Sequence, residues 1–285
     1  MKKKVTMMAA VAAALLSASC TLQDPDFTNT NKEAPRLSSI KVFGSSMYTM
    51  TYNKEGKATQ YTDYLVGQQI TVSYNPLEME MVTLDSWYDG EADKEVPYVS
   101  ERIKMTDIVC NGQGYVVSFT GTATEYDQDG SVSSRDVTKD VFEYDADGHL
   151  LQVRSDEGES MRLVWKDGLL VQMTEIGSAG KNEDTVVHFE CEGPENKWGQ
   201  WVPWWPVLGG LQMTGLFGKA PSRLISRAWT FDHDDGSDSF YDEGMTFYYR
   251  MNGFGQIASF QMFEDSGEED LALAFIFNYG IFANL

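Results

Sequence analysis

The chain has 285 residues, 42% of them hydrophobic and 23% charged, enough for one large domain or two small ones. Its 43 acidic residues outnumber 22 basic ones, leaving a net charge of −21. A field of that sign repels nucleic acid and anionic lipid surfaces, which excludes nucleic acid as an expected partner.

Lys2, Lys3 and Lys4 precede the apolar run "VTMMAAVAAALLS", which is too short to span a bilayer and reads as a leader. Small residues Ser17, Ala18 and Ser19 before Cys20 resemble a lipobox, with Leu16 four places before the cysteine where the usual box has it three before. That loosened form resembles the boxes of Bacteroidetes lipoproteins. The resemblance implies that residues 1–19 are a signal peptide and that lipid on Cys20 is the contact with the membrane. Ordinary secretion with cleavage at Ala18 is the competing reading. Residues 20–37 are polar and aperiodic, as in a disordered tether. Asp24 and Asp26 resemble the acidic tag that sends such lipoproteins to the surface, so the expected address is the outer membrane, on the cell surface before the periplasmic leaflet. No later stretch reaches 18 continuous apolar residues.

Residues 38–285 are expected to form a single β-repeat domain. "MTYNKEGKATQY", "TEYDQDGSVSS", "FEYDADGHLLQV", "LVWKDGLLVQM" and "WTFDHDDGSDSF" share an aromatic residue, then Asp, Asn or Lys, then Gly. The glycines are Gly56, Gly130, Gly148, Gly168 and Gly236; the aromatics are Tyr52, Tyr126, Tyr144, Trp165 and Phe231. A later relative carries Asn252-Gly253. The intervals between Gly130, Gly148 and Gly168 fit the length of one hairpin unit.

Two chemistries compete for this pattern. With Gly130 at the sixth place of a calcium loop, Asp127 and Asp129 become ligand candidates beside Glu125 and Asp136. The same alignment puts Arg154 and Thr62 where the other copies need a bidentate carboxylate, so the motif repeats for another reason. In the turn reading, Asp145 bonds the backbone two residues on and Gly148 takes the left-handed conformation that closes a hairpin. The flanks agree: Met161, Leu163 and Trp165 alternate with Arg162 and Lys166, and Leu169, Val171 and Met173 with Gln172 and Thr174. The expected fold is all-β, a long curved antiparallel meander of hairpins.

These aromatic-Asp-x-x-Gly units resemble YD-type repeats. With the lipobox and "GLFGKAPSRLIS", the chain is similar to uncharacterised lipoproteins of gut Bacteroidetes. The resemblance covers residues 38–285 and implies a curved, half-barrel-like sheet and an address; the family has no established activity to carry over.

One segment breaks the pattern, at about residues 192–228. It holds Trp198, Trp201, Trp204 and Trp205, then a Gly-studded apolar run in which Leu208, Leu211, Met213, Leu216 and Phe217 could line a short helix after Pro203 and Pro206. It reads as a plug across the concave face, as a ligand platform in which the four tryptophans stack on sugar rings, or as a membrane-interface anchor. Cys110 and Cys191 either pair or stay as free thiols. No nucleophile elbow, metalloprotease helix, phosphate loop or dinucleotide fingerprint occurs, and His149, His188 and His233 each stand alone, so neither catalysis nor a cofactor is expected. The reading is an envelope scaffold that binds a glycan or protein; the alternative is a carrier of apolar molecules in the curve of the sheet.

Overall fold

Period-two strands separated by tight turns have one local way to pair, each with the next. The computed structural model describes residues 19–20, 36–64, 66–89, 94–156, 158, 160–176, 185–201, 209–232, 241–264 and 271–280. Its strands are β1 (Ser19–Cys20), β2 (Arg36–Val42), β3 (Ser45–Tyr52), β4 (Ala58–Asp63), β5 (Gln68–Tyr74) and β6 (Leu77–Asp89). Next come β7 (Lys94–Cys110), β8 (Val116–Tyr126), β9 (Val132–Tyr144), β10 (Leu150–Ser155), β11 (Ser160–Lys166) and β12 (Leu169–Ile176). The last are β13 (Thr185–Glu190), β14 (Gln200–Trp201), β15 (Arg227–Asp232), β16 (Tyr241–Met251), β17 (Ile257–Glu264) and β18 (Leu271–Gly280).

The all-β antiparallel meander is as expected, but the sheet is not a half-barrel. Strand β18 pairs with β2, as Phe275 with Val42 and Phe277 with Ile40, and closes a 16-stranded barrel. Closure removes the two free edges that an open meander would expose.

Inner and outer faces differ sharply. One inner row runs Met50, Tyr61, Ile70, Met81, Ile103 and Ala123 across β3 to β8. The adjacent outer row runs Thr51, Gln60, Thr71, Glu80, Lys104 and Thr122. Elsewhere Tyr248, Phe263 and Ile276 face outward, but their cross-strand neighbours include Gln261, Thr246, Ser259 and Lys41. A barrel wall in lipid carries an apolar band outside and polar residues within. This wall has the opposite arrangement, with the apolar core inside, where Leu37, Ile40, Ile70, Met173, Val187 and Phe275 are fully buried.

The turns answer why the motif needs Asp or Asn before Gly. At Asn53, Asn111, Asp127, Asp145 and Asn252 the residue's carbonyl accepts from the glycine three places on, and its N–H donates one residue further. Gly56, Gly114, Gly130, Gly148 and Gly255 all have positive φ. The side-chain oxygen then accepts backbone N–H groups of the turn, as Asn53 does from Glu55 and Lys57. Three expectations need correction. The later copy closes on Gly255, not Gly253. Gly130 and Gly148 sit at opposite ends of the barrel, separated by the single strand β9, whereas two short strands separate Gly148 from Gly168. A bulge where Trp165 meets Leu170 also places Leu170 in the core with Met173, so Leu169, Val171 and Met173 do not form one buried row.

Candidate functional site: a stoppered end and an acidic mouth

The aromatic residue of the motif has a role at one end of the barrel. Tyr52 donates its hydroxyl to the Leu37 carbonyl at 2.8 Å, Tyr74 to Ala58 at 2.8 Å and Tyr144 to Val116 at 2.7 Å. The Trp165 indole donates to Leu150 at 2.8 Å and Tyr279 to Ile257 at 2.7 Å. Each acceptor lies at the start of an earlier strand, so each ring laces one hairpin to another. Burial holds the Tyr74 and Tyr144 phenols far above their ordinary pKa, so these hydroxyls stay donors.

The segment between β13 and β15 closes this end. A 3₁₀ helix at Gly209–Thr214 leads to Leu216, Phe217, Leu224 and Ile225, all buried. Phe217 meets Phe142 edge-on at 5.2 Å. Backbone bonds then stitch the segment to successive turns: Val116 N–H to Leu216, Lys219 N–H to Gly148 and Ser222 N–H to Gly168. Gln200 is buried, accepting from the Ile257 N–H at 2.8 Å and donating to the Tyr279 hydroxyl at 2.7 Å. The segment is thus a stopper at one end of the barrel. Trp198 is half-buried, its indole N–H donating to the Phe254 carbonyl at 2.7 Å. Trp201 is in β14, where it pairs with Ser19, while Cys20 pairs with Gln200. Trp204, Trp205, Leu208 and His233 lie outside the described residues.

Cys110 and Cys191 are free thiols. Burial pushes the Cys191 thiol up to about 12, and its Sγ donates to the Leu170 carbonyl. At the mouth, the Asp127 carboxylate accepts the Ser131 hydroxyl and Asp129 accepts the Ser131 N–H at 2.8 Å; the Ser131 side chain first, and then its N–H, lower the pKa of Asp129. Both calcium candidates are therefore engaged in closing their own turn. Among the described residues, the one group of three whose ligand atoms come within 4.8 Å of one another is Asp145, Asp147 and His149, at the stoppered end. There the His149 Nδ1 already meets Asp145 at 2.8 Å and its ring stacks on Trp165 at 4.4 Å.

Toward the opposite end, the inner face of the described strands is polar. A second inner row, one step nearer this mouth, runs Tyr48, Asp63, Gln68, Thr83, Glu101, Glu125 and Ser134 across seven strands. Strands β6 to β9 are longer than their neighbours and raise the wall on that side. The Ser134 hydroxyl donates to Glu125 at 2.8 Å, while burial and the Glu125 charge beside it raise the pKa of Glu101. Asp136, Asp140 and Glu175 face inward by the same register, opposite Ala123, Phe119 and Met161. Arg102, Lys104, Arg135, Lys139, Arg162 and Lys166 alternate with inward positions and face out. Sequence reading missed this segregation because the row joins residues up to 86 places apart that share no local motif.

No family model and no curated protein matches the chain. Among solved structures, it is similar to a porin-like protein from Bacteroides uniformis at 15% identity and a TM-score of 0.47, covering 86% of this chain and 98% of that one. A porin-like protein from Bacteroides vulgatus matches at 10% identity and a TM-score of 0.43, with the same coverage. The TcdB2-TccC3 structure matches at 9% identity and a TM-score of 0.21, over 82% of this chain and 14% of that one.

Proposed function

We propose that the protein is a lipid-anchored, non-catalytic binding scaffold of the cell envelope, tethered at its stoppered end and presenting the mouth to its ligand. The observation that carries this reading is the outer wall. A row of Thr, Gln, Glu and Lys across six strands suits water, because a charged side chain facing mid-bilayer costs roughly 2–4 kcal/mol. Attachment to a membrane then needs a separate device, and acylated Cys20 supplies it. Strand β2 begins at Arg36 on the stoppered side, and Cys20 pairs with Gln200 of the stopper, so the tether leaves from that end.

The test is a fractionation. The parent should sediment with membranes and Cys20→Ala should become soluble or accumulate as uncleaved precursor. A Cys20→Ala protein that stays with membranes as the parent does would refute the anchor.

A further inference from the structure

We propose that the inner wall of the mouth binds a linear oligoamine, with one ammonium group received by Asp63, Tyr48 and Tyr61 and another by Glu101 and Glu125. This rests on the binding-scaffold reading above and gives the chemical class of the ligand.

Two independent observations point to it. The first is charge segregation by face: Asp63, Glu101 and Glu125 stand in one register row with Gln68, Thr83 and Ser134, and that row holds no basic residue. The second lies at the inner end of the row. Tyr48 is 1% exposed, Tyr61 3% and Asp63 3%. The Tyr48 phenol oxygen has no hydrogen-bond partner. A buried hydroxyl left unpaired costs free energy, so its persistence marks a place where a polar group from outside is received.

The chemistry of that end selects an amine. Tyr48 and Tyr61 stack with centroids 6.2 Å apart beside the Asp63 carboxylate, which occupies the position opposite Tyr48. Burial first, and then the Asp63 charge, holds both phenols protonated far above their ordinary range. The site therefore offers an anionic carboxylate, phenol oxygen lone pairs and aromatic faces, all of which attract an ammonium group. An anion would meet the carboxylates instead.

Spacing selects a chain with more than one charge. Asp63 and Glu101 are three strand steps apart, about 14 Å at the usual inter-strand separation. Glu101 and Glu125 are direct cross-strand neighbours. Burial first, and then the Glu125 charge beside it, raise the pKa of Glu101, and a cation between the two carboxylates relieves their repulsion.

Calorimetric titration of the full chain in detergent with spermine, at low salt, tests the proposal. Spermine should bind saturably, and Glu101→Gln should weaken it about fivefold, the loss of one partly exposed charge pair. Glu78→Gln, which removes an equal charge from the outer wall, should leave the affinity unchanged. Tyr48→Phe should weaken binding while raising the melting temperature of the free protein, since it removes an unpaired buried hydroxyl. Calcium should fail to compete at equal ionic strength. No saturable binding, or equal weakening by Glu78→Gln and Glu101→Gln, overturns the proposal, because the acidic chain would then be attracting cations without a site. Displacement of spermine by calcium at equal ionic strength overturns it in favour of a metal site. Cys20→Ala should bind spermine as the parent does, so failure of the anchor and failure of the amine site are separate results.

Discussion

The stoppered end and the mouth are made from opposite ends of the same strands, and they differ in where polar groups find partners. At the stopper, Tyr52, Tyr74, Tyr144, Trp165 and Tyr279 each donate to a backbone carbonyl, and Gln200 is bonded in the core. At the mouth, carboxylates face one another across β7 and β8 and the buried Tyr48 phenol has no partner, while the buried Tyr115 phenol beside Gly148 is likewise unpaired at the stopper. What separates the ends is charge: at the mouth Glu101 and Glu125 stand side by side on the inner wall, whereas at the stopper phenol hydroxyls and an indole bind backbone carbonyls. Buried polar groups are nearly always paired within a protein unless something else completes them.

The largest expected effect lies in the stopper. Phe217 is 1% exposed and packs on Phe142, so Phe217→Ala should destabilise the barrel by about 3–5 kcal/mol in denaturant melts. Ser134→Ala, in the acidic row at the mouth, should stay within about 1 kcal/mol. Equal losses at both sites would erase the distinction between the ends.

Glycine turns sharpen the comparison. Gly148 at the stopper and Gly130 at the mouth both have positive φ, 93° and 82°. Alanine at either should cost about 1–2 kcal/mol for the left-handed backbone. A Cβ at Gly148 would lie 2.7 Å from the Tyr115 ring, whereas one at Gly130 would meet nothing within 4 Å. Gly148→Ala should therefore cost a further 1–3 kcal/mol, roughly, from overpacking. Indistinguishable melts for the two variants would show that the stopper is loosely packed.

Acid pH should act on the two ends with opposite sign. Burial and Glu125 raise the pKa of Glu101, so its ionised form opposes folding; burial alone does the same at Glu175. Stability contributed by the mouth should rise as pH falls from neutral through the raised values toward the ordinary glutamate range near about 4.3. At the stopper, burial would raise the pKa of Asp145, but bonds from the His149 N–H and imidazole outweigh it and lower the value. That contribution is present above the unfolded aspartate pKa and is lost as pH falls through the lowered one. Melting temperatures of Glu101→Gln against pH should show a smaller gain on mild acidification than the parent. A gain as large as the parent's would contradict the assignment.

The smallest effect is expected at Asp145→Asn. Asn53, Asn111 and Asn252 already occupy the equivalent turn position, so the backbone bonds should survive. The loss should be about 0.5–1.5 kcal/mol, from the weakened contact with His149.

The hairpins were legible because their signals are local. Asp145 and Gly148 are three residues apart, and Met161, Leu163 and Trp165 alternate within one strand. The aromatic residue was visible as a pattern, but its reason was not, since Tyr144 meets a carbonyl 28 residues away. Closure was not legible either: Phe277 pairs with Ile40, and nothing near either residue names the other. The Asn111 turn was hidden because "CNGQGYVV" offers Gly112 and Gly114, and only Gly114 takes positive φ. For the candidate site the limit was sharper. The acidic row is read across strands, and each of its members looks along the chain like an ordinary surface residue.

The orientation of the wall is tested most directly by chemical labelling. A cysteine at Thr122, on the outer face of β8, would be introduced into the lipidated full chain with exposed Cys110 changed to Ser. The protein would then be reconstituted into vesicles and treated with a membrane-impermeant maleimide. The outer row of Thr, Gln, Glu and Lys predicts labelling before any detergent is added, as rapid as in the soluble Cys20→Ala form. Protection that lasts until detergent dissolves the vesicles would place that wall in lipid and contradict the account.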